Sequence, residues 1–163
     1  MNGQKVPQLT AVDDGSRDRA YMRVALAEAV ATARNGEVPV GAIVTLGDRI
    51  IARAGNRTIC DCDPTAHAEI IALRAAAQTM GNHRLAGAEL YVTVEPCAMC
   101  AGAIIQARIA RIVYGCDDPK GGAAHSCFAM FDHPALNHRV AVVDGVLAEE
   151  CAGVLQSFFA SRR

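Results

Sequence analysis

The sequence has no excess of charge of either sign and no long apolar run. Its 163 residues carry 16 Lys and Arg against 17 Asp and Glu, which gives a formal net charge of −1. This balance excludes a strongly basic body that would hold nucleic acid by phosphate neutralisation alone. No apolar run approaches the roughly 20 residues that cross a bilayer, and the polar start Met1 to Arg19 has no hydrophobic segment of the signal-peptide type. We therefore expect a cytoplasmic protein that does not contact a membrane.

Aromatic residues are also scarce, at 4% of the chain, although 52% of the residues are hydrophobic. An apolar content of this size is typical of a globular protein and argues against disorder. The length suits one domain with a core of its own. Residues 1–16 contain turn-forming residues without apolar periodicity, so we predict a flexible leader there and a single domain over residues 17–163.

Helix and strand patterns alternate along the predicted domain. Apolar residues at three- and four-residue spacing predict a first helix from Arg17 to Asn35. Two segments rich in Val and Ile, 40–46 and 49–54, predict a hairpin of two strands. The remaining predicted elements are helices over 66–80, 96–107 and 147–159 and strands over 89–94, 111–114 and 139–143. This alternation predicts an α/β fold, a three-layer α/β/α sandwich around a mixed sheet of about five strands.

The seven cysteines are an odd number without an export signal, so a disulfide framework fits poorly. Cys97 and Cys100 are spaced i and i+3 at the start of a predicted helix and point to the same side of its first turn. His67 lies at the start of the preceding predicted helix, and the two helix starts can face each other. Two thiolates and one imidazole supply three zinc ligands and leave the fourth tetrahedral position to water, which is typical of a catalytic rather than a structural zinc site.

Glu69 lies two residues beyond His67 and near the open position of this predicted site. Two thiolates cancel the charge of a zinc ion, so the ion activates water less than one held by three neutral histidines. A carboxylate at the open position can take a proton from water and return it to a substrate and its leaving group. The positive end of the helix that begins at Pro96 favours thiolate over thiol. These residues predict the hydrolytic replacement of an amine.

Two other interpretations of the cysteine pair stay open at this point. A thioredoxin-like redox pair would use Cys97 and Cys100 but would leave His67 and Glu69 without a task. A closed structural zinc site would need a fourth side chain as ligand.

The pattern His-x-Glu, followed about 30 residues later by Pro-Cys-x-x-Cys, is the signature of zinc nucleobase and nucleoside deaminases. The chain resembles one family of them, the bacterial tRNA-specific adenosine deaminases, from about Arg17 to its C-terminus. The matching blocks are 37–42, 55–57, 63–70, 90–97, 100–103 and 137–140. The resemblance implies the cytidine-deaminase fold and a homodimer with one Zn²⁺ per subunit. The implied reaction converts the wobble adenosine, position 34 of an arginine tRNA, to inosine with release of ammonia.

The resemblance also implies roles for individual residues, carried over by matching position. His67, Cys97 and Cys100 correspond to the zinc ligands, and Glu69 corresponds to the proton shuttle. Asn56 corresponds to the asparagine that hydrogen-bonds the extruded base, and its amide offers both a donor and an acceptor. Further residues correspond to the surface that meets the tRNA anticodon loop, where cations and stacking rings are needed: Asp118, Lys120, Asn137, His138 and Phe159.

Two rival functions remain. A zinc deaminase of a free base or nucleoside, such as guanine or cytidine, would keep the chemistry and agree with the near-neutral charge. A zinc-organised RNA-binding module would keep the metal without catalysis. Cys60 and Cys62 depart from the family pattern and could capture a second metal or form a disulfide, but we interpret them as incidental loop thiols.

Overall fold

The computed structural model describes residues 14–163, so most of the predicted leader lies outside the described residues. Helix α1 spans Asp14–Arg34, which places residues 14–16 in a helix instead of the leader. Asp, Gly and Ser favour turns, but they also favour the first positions of a helix. The sequence pattern alone did not distinguish these two uses.

All the predicted helices and strands are present, with ends shifted by at most three residues. No helix within residues 14–163 is both long and apolar enough to span a membrane. A short 3-10 helix at Met130–Asp132 was not predicted. The elements that follow α1 are β1 Gly41–Leu46, β2 Arg49–Gly55, α2 Ala68–Met80, β3 Ala88–Val94, α3 Ala98–Gln106, β4 Arg111–Cys116, β5 Ala141–Val143 and α4 Ala148–Ala160.

The five strands form one mixed sheet in the order β2-β1-β3-β4-β5. Strand β1 is antiparallel to both β2 and β3, whereas β3, β4 and β5 run parallel to one another. The sheet confirms the predicted five-stranded mixed architecture. Helix α3 provides the crossover that joins parallel strands β3 and β4, as such a connection requires.

Successive residues of the central strands point to opposite faces of the sheet and enter two separate cores. Leu90 and Ile112 lie in the core beneath α2 and α3, whereas Tyr91 and Val113 lie in the core beneath α1 and α4. All four side chains are fully buried. Because each face of the sheet is covered by helices, the central strands are apolar almost throughout, and the predicted three-layer sandwich is confirmed.

Candidate active site

Three side chains that could hold a metal ion converge where α2 and α3 begin. His67 and Cys97 occupy the residues immediately before these helices and have extended backbone, so they are N-cap residues instead of members of the first turn as predicted. Cys100 lies in the first turn of α3. The Nδ1 atom of His67 lies 3.7 Å from Sγ of Cys97 and 3.6 Å from Sγ of Cys100.

These separations match those of a tetrahedral zinc ion. Zn–N and Zn–S bonds of about 2.0–2.3 Å at tetrahedral angles place nitrogen and sulfur ligands about 3.6 Å apart. The side chains of His67 and Cys97 make no capping hydrogen bond to their own helices, so the ligand atoms are free for the metal. The donor set and its spacing therefore fit zinc.

The three ligands shift one another's protonation. Hydrogen bonds from Cys100 and His67 lower the pKa of Cys97 to about 4, and the contact with Cys97 raises the pKa of Cys100. The same sulfur raises the pKa of His67 through a hydrogen bond. One thiolate is thus formed at neutral pH, and Cys100 must release its proton when a metal binds.

Glu69 lies in the first turn of α2 and is only 4% exposed. Burial raises the pKa of its carboxyl to about 7. A group with this pKa both accepts and releases a proton near neutral pH, as a general acid–base catalyst must. Its side chain lines the same cleft as the metal ligands His67 and Cys97.

This cleft has a volume of about 510 Å³ and receives residues from several elements. A groove of about 570 Å³ between α1 and α4 is larger, but no histidine or cysteine lines it. Cys100 is fully buried behind the cleft wall. The cleft brings together six of the residues that the sequence analysis singled out: Asn56, His67, Glu69, Cys97, Asp118 and Phe159.

The amide of Asn56 is oriented by the helix that carries Glu69. Its Oδ1 accepts a hydrogen bond of 2.8 Å from the backbone N–H of Ala68, the first residue of α2. This bond satisfies one of the N–H groups that a helix leaves unpaired at its start. The N–H₂ group has no hydrogen-bond partner of its own in this contact, and Oδ1 keeps a second lone pair, so the amide still offers both a donor and an acceptor to a substrate.

Of the expected RNA contacts, Phe159 and Asp118 line the cleft, whereas Lys120 lies next to it in the chain. Phe159 is 49% exposed, and its ring packs edge-on against Phe158 with the centroids 5.4 Å apart. Asp118 lines the cleft, and its Oδ1 accepts the backbone N–H of Lys120 at 3.0 Å. The side chain of Lys120 is exposed and does not line the cleft itself.

The cleft does not bring in Asn137 or His138. The Oδ1 of Asn137 accepts a 3.3 Å hydrogen bond from Arg108, and Nε2 of His138 donates to the carbonyl oxygen of Ile109 at 2.7 Å. Both residues are therefore tied to the turn between α3 and β4, outside the cleft lining.

Two buried carboxylates that hold loops beside the cleft were not predicted from the sequence. Glu37 is 1% exposed and accepts the backbone N–H groups of Ile59 and Cys60, which belong to the loop between Asn56 and α2. Glu95 is 3% exposed and fixes a second loop beside the cleft. A glutamate next to an apolar strand segment is the signal that could have drawn attention to each of them, since a buried charge needs specific partners.

Comparisons with known proteins agree with this chemistry. The family model of MafB19-like deaminases matches residues 16–163. A tRNA-specific adenosine deaminase of Agrobacterium fabrum is 48% identical over 143 residues, which cover 88% of this chain and 94% of that protein. A tRNA-specific adenosine deaminase of Haemophilus influenzae is 50% identical over 147 residues, covering 90% and 85%. A structure solved in a study of A-to-I editing by tRNA:A34 deaminases superposes with a TM-score of 0.81 at 48% identity, covering 83% of this chain and 99% of the other.

Proposed function

The chain belongs to the family of tRNA-specific adenosine deaminases, and we propose that it converts the wobble adenosine of an arginine tRNA to inosine in the cytoplasm. It is an aminohydrolase with a cytidine-deaminase-like α/β fold. The observation that carries the proposal is the convergence of His67, Cys97 and Cys100 on one point in a cleft that also holds Glu69. A closed structural zinc site is disfavoured because no fourth His, Cys, Asp or Glu joins this group among residues 14–163.

The metal in this proposal is one Zn²⁺ per subunit, held by the imidazole of His67 and the thiolates of Cys97 and Cys100. When bound, zinc supplies a Lewis acid that lowers the pKa of a water molecule. The donor type and the 3.6–3.7 Å ligand separations support zinc over Mg²⁺ or Ca²⁺, which prefer oxygen ligands.

Glu69 moves the protons of the reaction. Its carboxylate takes one proton from the water molecule whose oxygen bonds to carbon 6, and passes this proton to the adenine ring. It then moves the proton of the new hydroxyl group to the amine, so that the carbon–nitrogen bond breaks, ammonia leaves and carbon 6 keeps the oxygen as a carbonyl. The burial of Glu69 supports this role, because a carboxyl group screened from bulk water keeps the proton for the substrate.

The remaining cleft residues suit a base that has left its stack. The amide N–H₂ of Asn56 can donate to an acceptor atom on the base, because the hydrogen bond from Ala68 fixes the amide through its oxygen. The exposed ring of Phe159 offers a stacking surface for a neighbouring nucleotide. Asp118 and Lys120 flank the cleft in this proposal.

Asn137 and His138 are proposed to contact parts of the anticodon loop farther from the reacting base. Their side chains are exposed or half-buried and lie outside the cleft. A tRNA loop spans several nucleotides beyond the extruded one, so contacts at this distance remain useful for binding.

We propose a homodimer because an apolar groove of about 430 Å³ lies between α2 and α3. Ile70, Leu73, Ala77 and Ala103 line it. A second copy would cover this groove through the same surface, as two-fold interfaces do. Sedimentation of the protein with Ala103→Glu should give a monomer where the unchanged chain gives a dimer.

The reaction is tested by incubating the zinc-loaded protein with an arginine tRNA that has an ACG anticodon, followed by sequencing. Parallel reactions contain free guanine or cytidine. The proposal predicts inosine at the wobble position and little turnover of the free compounds. Unchanged wobble adenosine in the presence of bound zinc would refute it, and preferential turnover of guanine or cytidine would establish the rival substrate class.

A further inference from the structure

The buried carboxylate of Glu95 accepts five hydrogen bonds from a single loop. Glu95 follows β3 and precedes the metal-ligand segment, and the residues 117–126 form what we call the anchored loop. The Oε1 atom of Glu95 accepts hydrogen bonds from the backbone N–H groups of Ala124, His125 and Ser126 at 3.0, 2.9 and 3.0 Å. Its Oε2 accepts the backbone N–H of Asp118 at 3.0 Å and the hydroxyl of Ser126.

The negative charge of Glu95 is stabilised by these hydrogen bonds and not by an ion pair. Among the described residues, no Lys, Arg or His forms an ion pair with this carboxylate. All five hydrogen bonds are donated to the carboxyl group, so it acts as an acceptor only, as an ionised carboxylate does. An ionised carboxylate that depends on one set of donors holds those donors strongly, because charge-assisted hydrogen bonds exceed neutral ones in strength.

The anchored loop is also joined to the backbone beside the metal ligand. Gly122 forms a β-bridge with Cys97, and the N–H of Ala123 donates to the carbonyl oxygen of Pro96 at 2.8 Å. A Cβ atom at Gly122 would collide with the carboxylate of Glu95. The close approach therefore requires glycine, and the loop and the metal-ligand segment form one unit.

The same bonds engage the buried member of a second group of potential metal ligands. Glu95, Asp117 and His125 have ligand atoms close enough to hold an ion. However, both oxygens of Glu95 are already engaged by hydrogen bonds, which leaves only the exposed pair of Asp117 and Nε2 of His125, 3.4 Å apart. The cluster organises the loop and leaves no buried acceptor free for a cation.

The anchored loop supplies one part of the cleft wall. Asp117, Asp118 and Pro119 line the cleft together with Asn56 and Glu69. The bond from Asp118 to Glu95 and the bonds from residues 124–126 hold the loop at both of its ends. The position of this wall is thus set by a residue whose own oxygens have no free capacity to bind a substrate.

We propose that Glu95 is a positioning residue that holds the anchored loop where it receives the nucleotides flanking the reacting base. The inference rests on the proposed deaminase function for its substrate, an unpaired RNA loop. Glu95 acts through the loop and not on the metal or the base, so its loss should weaken substrate binding more than it slows the chemical step.

Two substitutions perturb the anchor by different amounts. Glu95→Gln keeps the size of the side chain but replaces one acceptor oxygen by an N–H₂ group, which faces backbone N–H donors. Ser126→Ala removes one hydroxyl donor and leaves the charge and the backbone bonds in place. Ser157→Ala, at an exposed serine of α4 outside the cleft, is the matched control.

Each variant is assayed for zinc content, for thermal unfolding, and for kcat and KM on an anticodon stem-loop RNA at a temperature well below unfolding. We expect Glu95→Gln to keep its zinc and to raise KM by about tenfold while kcat falls by less than about threefold. Ser126→Ala should raise KM by a smaller factor, and Ser157→Ala should behave as the unchanged protein. A purely structural role would lower the unfolding temperature without this split between KM and kcat.

Amide hydrogen exchange without RNA provides an independent measurement. The amides of Ala124, His125 and Ser126 should exchange faster in Glu95→Gln than in the unchanged protein. Unchanged KM and unchanged exchange would overturn the inference, as would a loss of kcat in proportion to lost zinc. If the unchanged protein deaminates no RNA, the proposed function fails, and the exchange measurement still decides the role of Glu95 in holding the loop.

Discussion

The proposed function gives the two ends of the Asn56 amide different tasks, and substitution can separate them. Its oxygen accepts the N–H of Ala68 at 2.8 Å and so caps α2, whereas its N–H₂ group is the part proposed to donate to the base. Asn56→Asp keeps an oxygen for the cap and removes the donor. Asn56→Ala removes both.

The expected magnitudes differ for stability and activity. Loss of a capping oxygen costs about 1 kcal/mol of stability, and a carboxylate near a helix start contributes about 0.3–1 kcal/mol. The urea concentration at the midpoint of unfolding should therefore be the same or slightly higher for Asn56→Asp than for the unchanged protein. Asn56→Ala should lose about 1 kcal/mol of the free energy of unfolding. A substrate acceptor left without its donor costs about 1–3 kcal/mol, so kcat/KM on stem-loop RNA should fall roughly tenfold to a hundredfold in both variants.

The assay combines urea unfolding, zinc content and RNA deamination for the two variants. Equal losses of activity with different stabilities would support the division of labour within Asn56. Unimpaired deamination by Asn56→Asp with full zinc would refute the proposed donation to the base.

Three further predictions concern stability and the extra cysteines. Burial would raise the pKa of Glu37, but hydrogen bonds from Cys60, Ile59 and Thr58 lower it overall. Its stabilising contribution is therefore fully present above the unfolded pKa of about 4.3 and is lost as the pH falls from there through the lowered pKa of the folded state. Acid titration of the unfolding free energy should show a weaker pH dependence in Glu37→Gln. Asp18 is 3% exposed and accepts a hydrogen bond of 2.8 Å from Arg111. The change Asp18→Ala should cost about 1–3 kcal/mol, because Arg111 keeps Glu89 as a partner at 3.1 Å, and an unchanged free energy of unfolding in urea would contradict a structural role for this pair. The double change of Cys60 and Cys62 to Ser should leave zinc content and deamination within about twofold of the unchanged protein, because both side chains are exposed and neither belongs to the metal group; loss of zinc would show that they participate in metal binding.

The order of the elements was predictable because apolar periodicity is a local property. The strands over β1 and β3 alternate between two buried faces, and the helices repeat at three and four residues, so short windows of sequence suffice. The ends were less predictable. His67 and Cys97 were predicted within helices, yet both have extended backbone and precede them, because the choice between N-cap and first turn depends on the contacts that each side chain makes elsewhere.

The three potential metal ligands were predictable because they belong to short motifs with fixed spacing. The loop anchors were not, because they depend on residues far apart in the chain. Glu95 binds the N–H of Ala124, which lies 29 residues later, and Glu37 binds that of Cys60, 23 residues later. A backbone donor carries no signature of its own in the sequence, so no motif connects a buried carboxylate to the loop that it holds.

The effect of Glu69→Gln on tRNA tests the central claim most directly. Glu149→Gln, at an exposed position in the first turn of α4, is the matched control. Glu69→Gln should retain one zinc ion per chain and its fold, while inosine formation at position 34 falls by at least about a hundredfold. Undiminished inosine formation in Glu69→Gln with zinc bound would contradict the account.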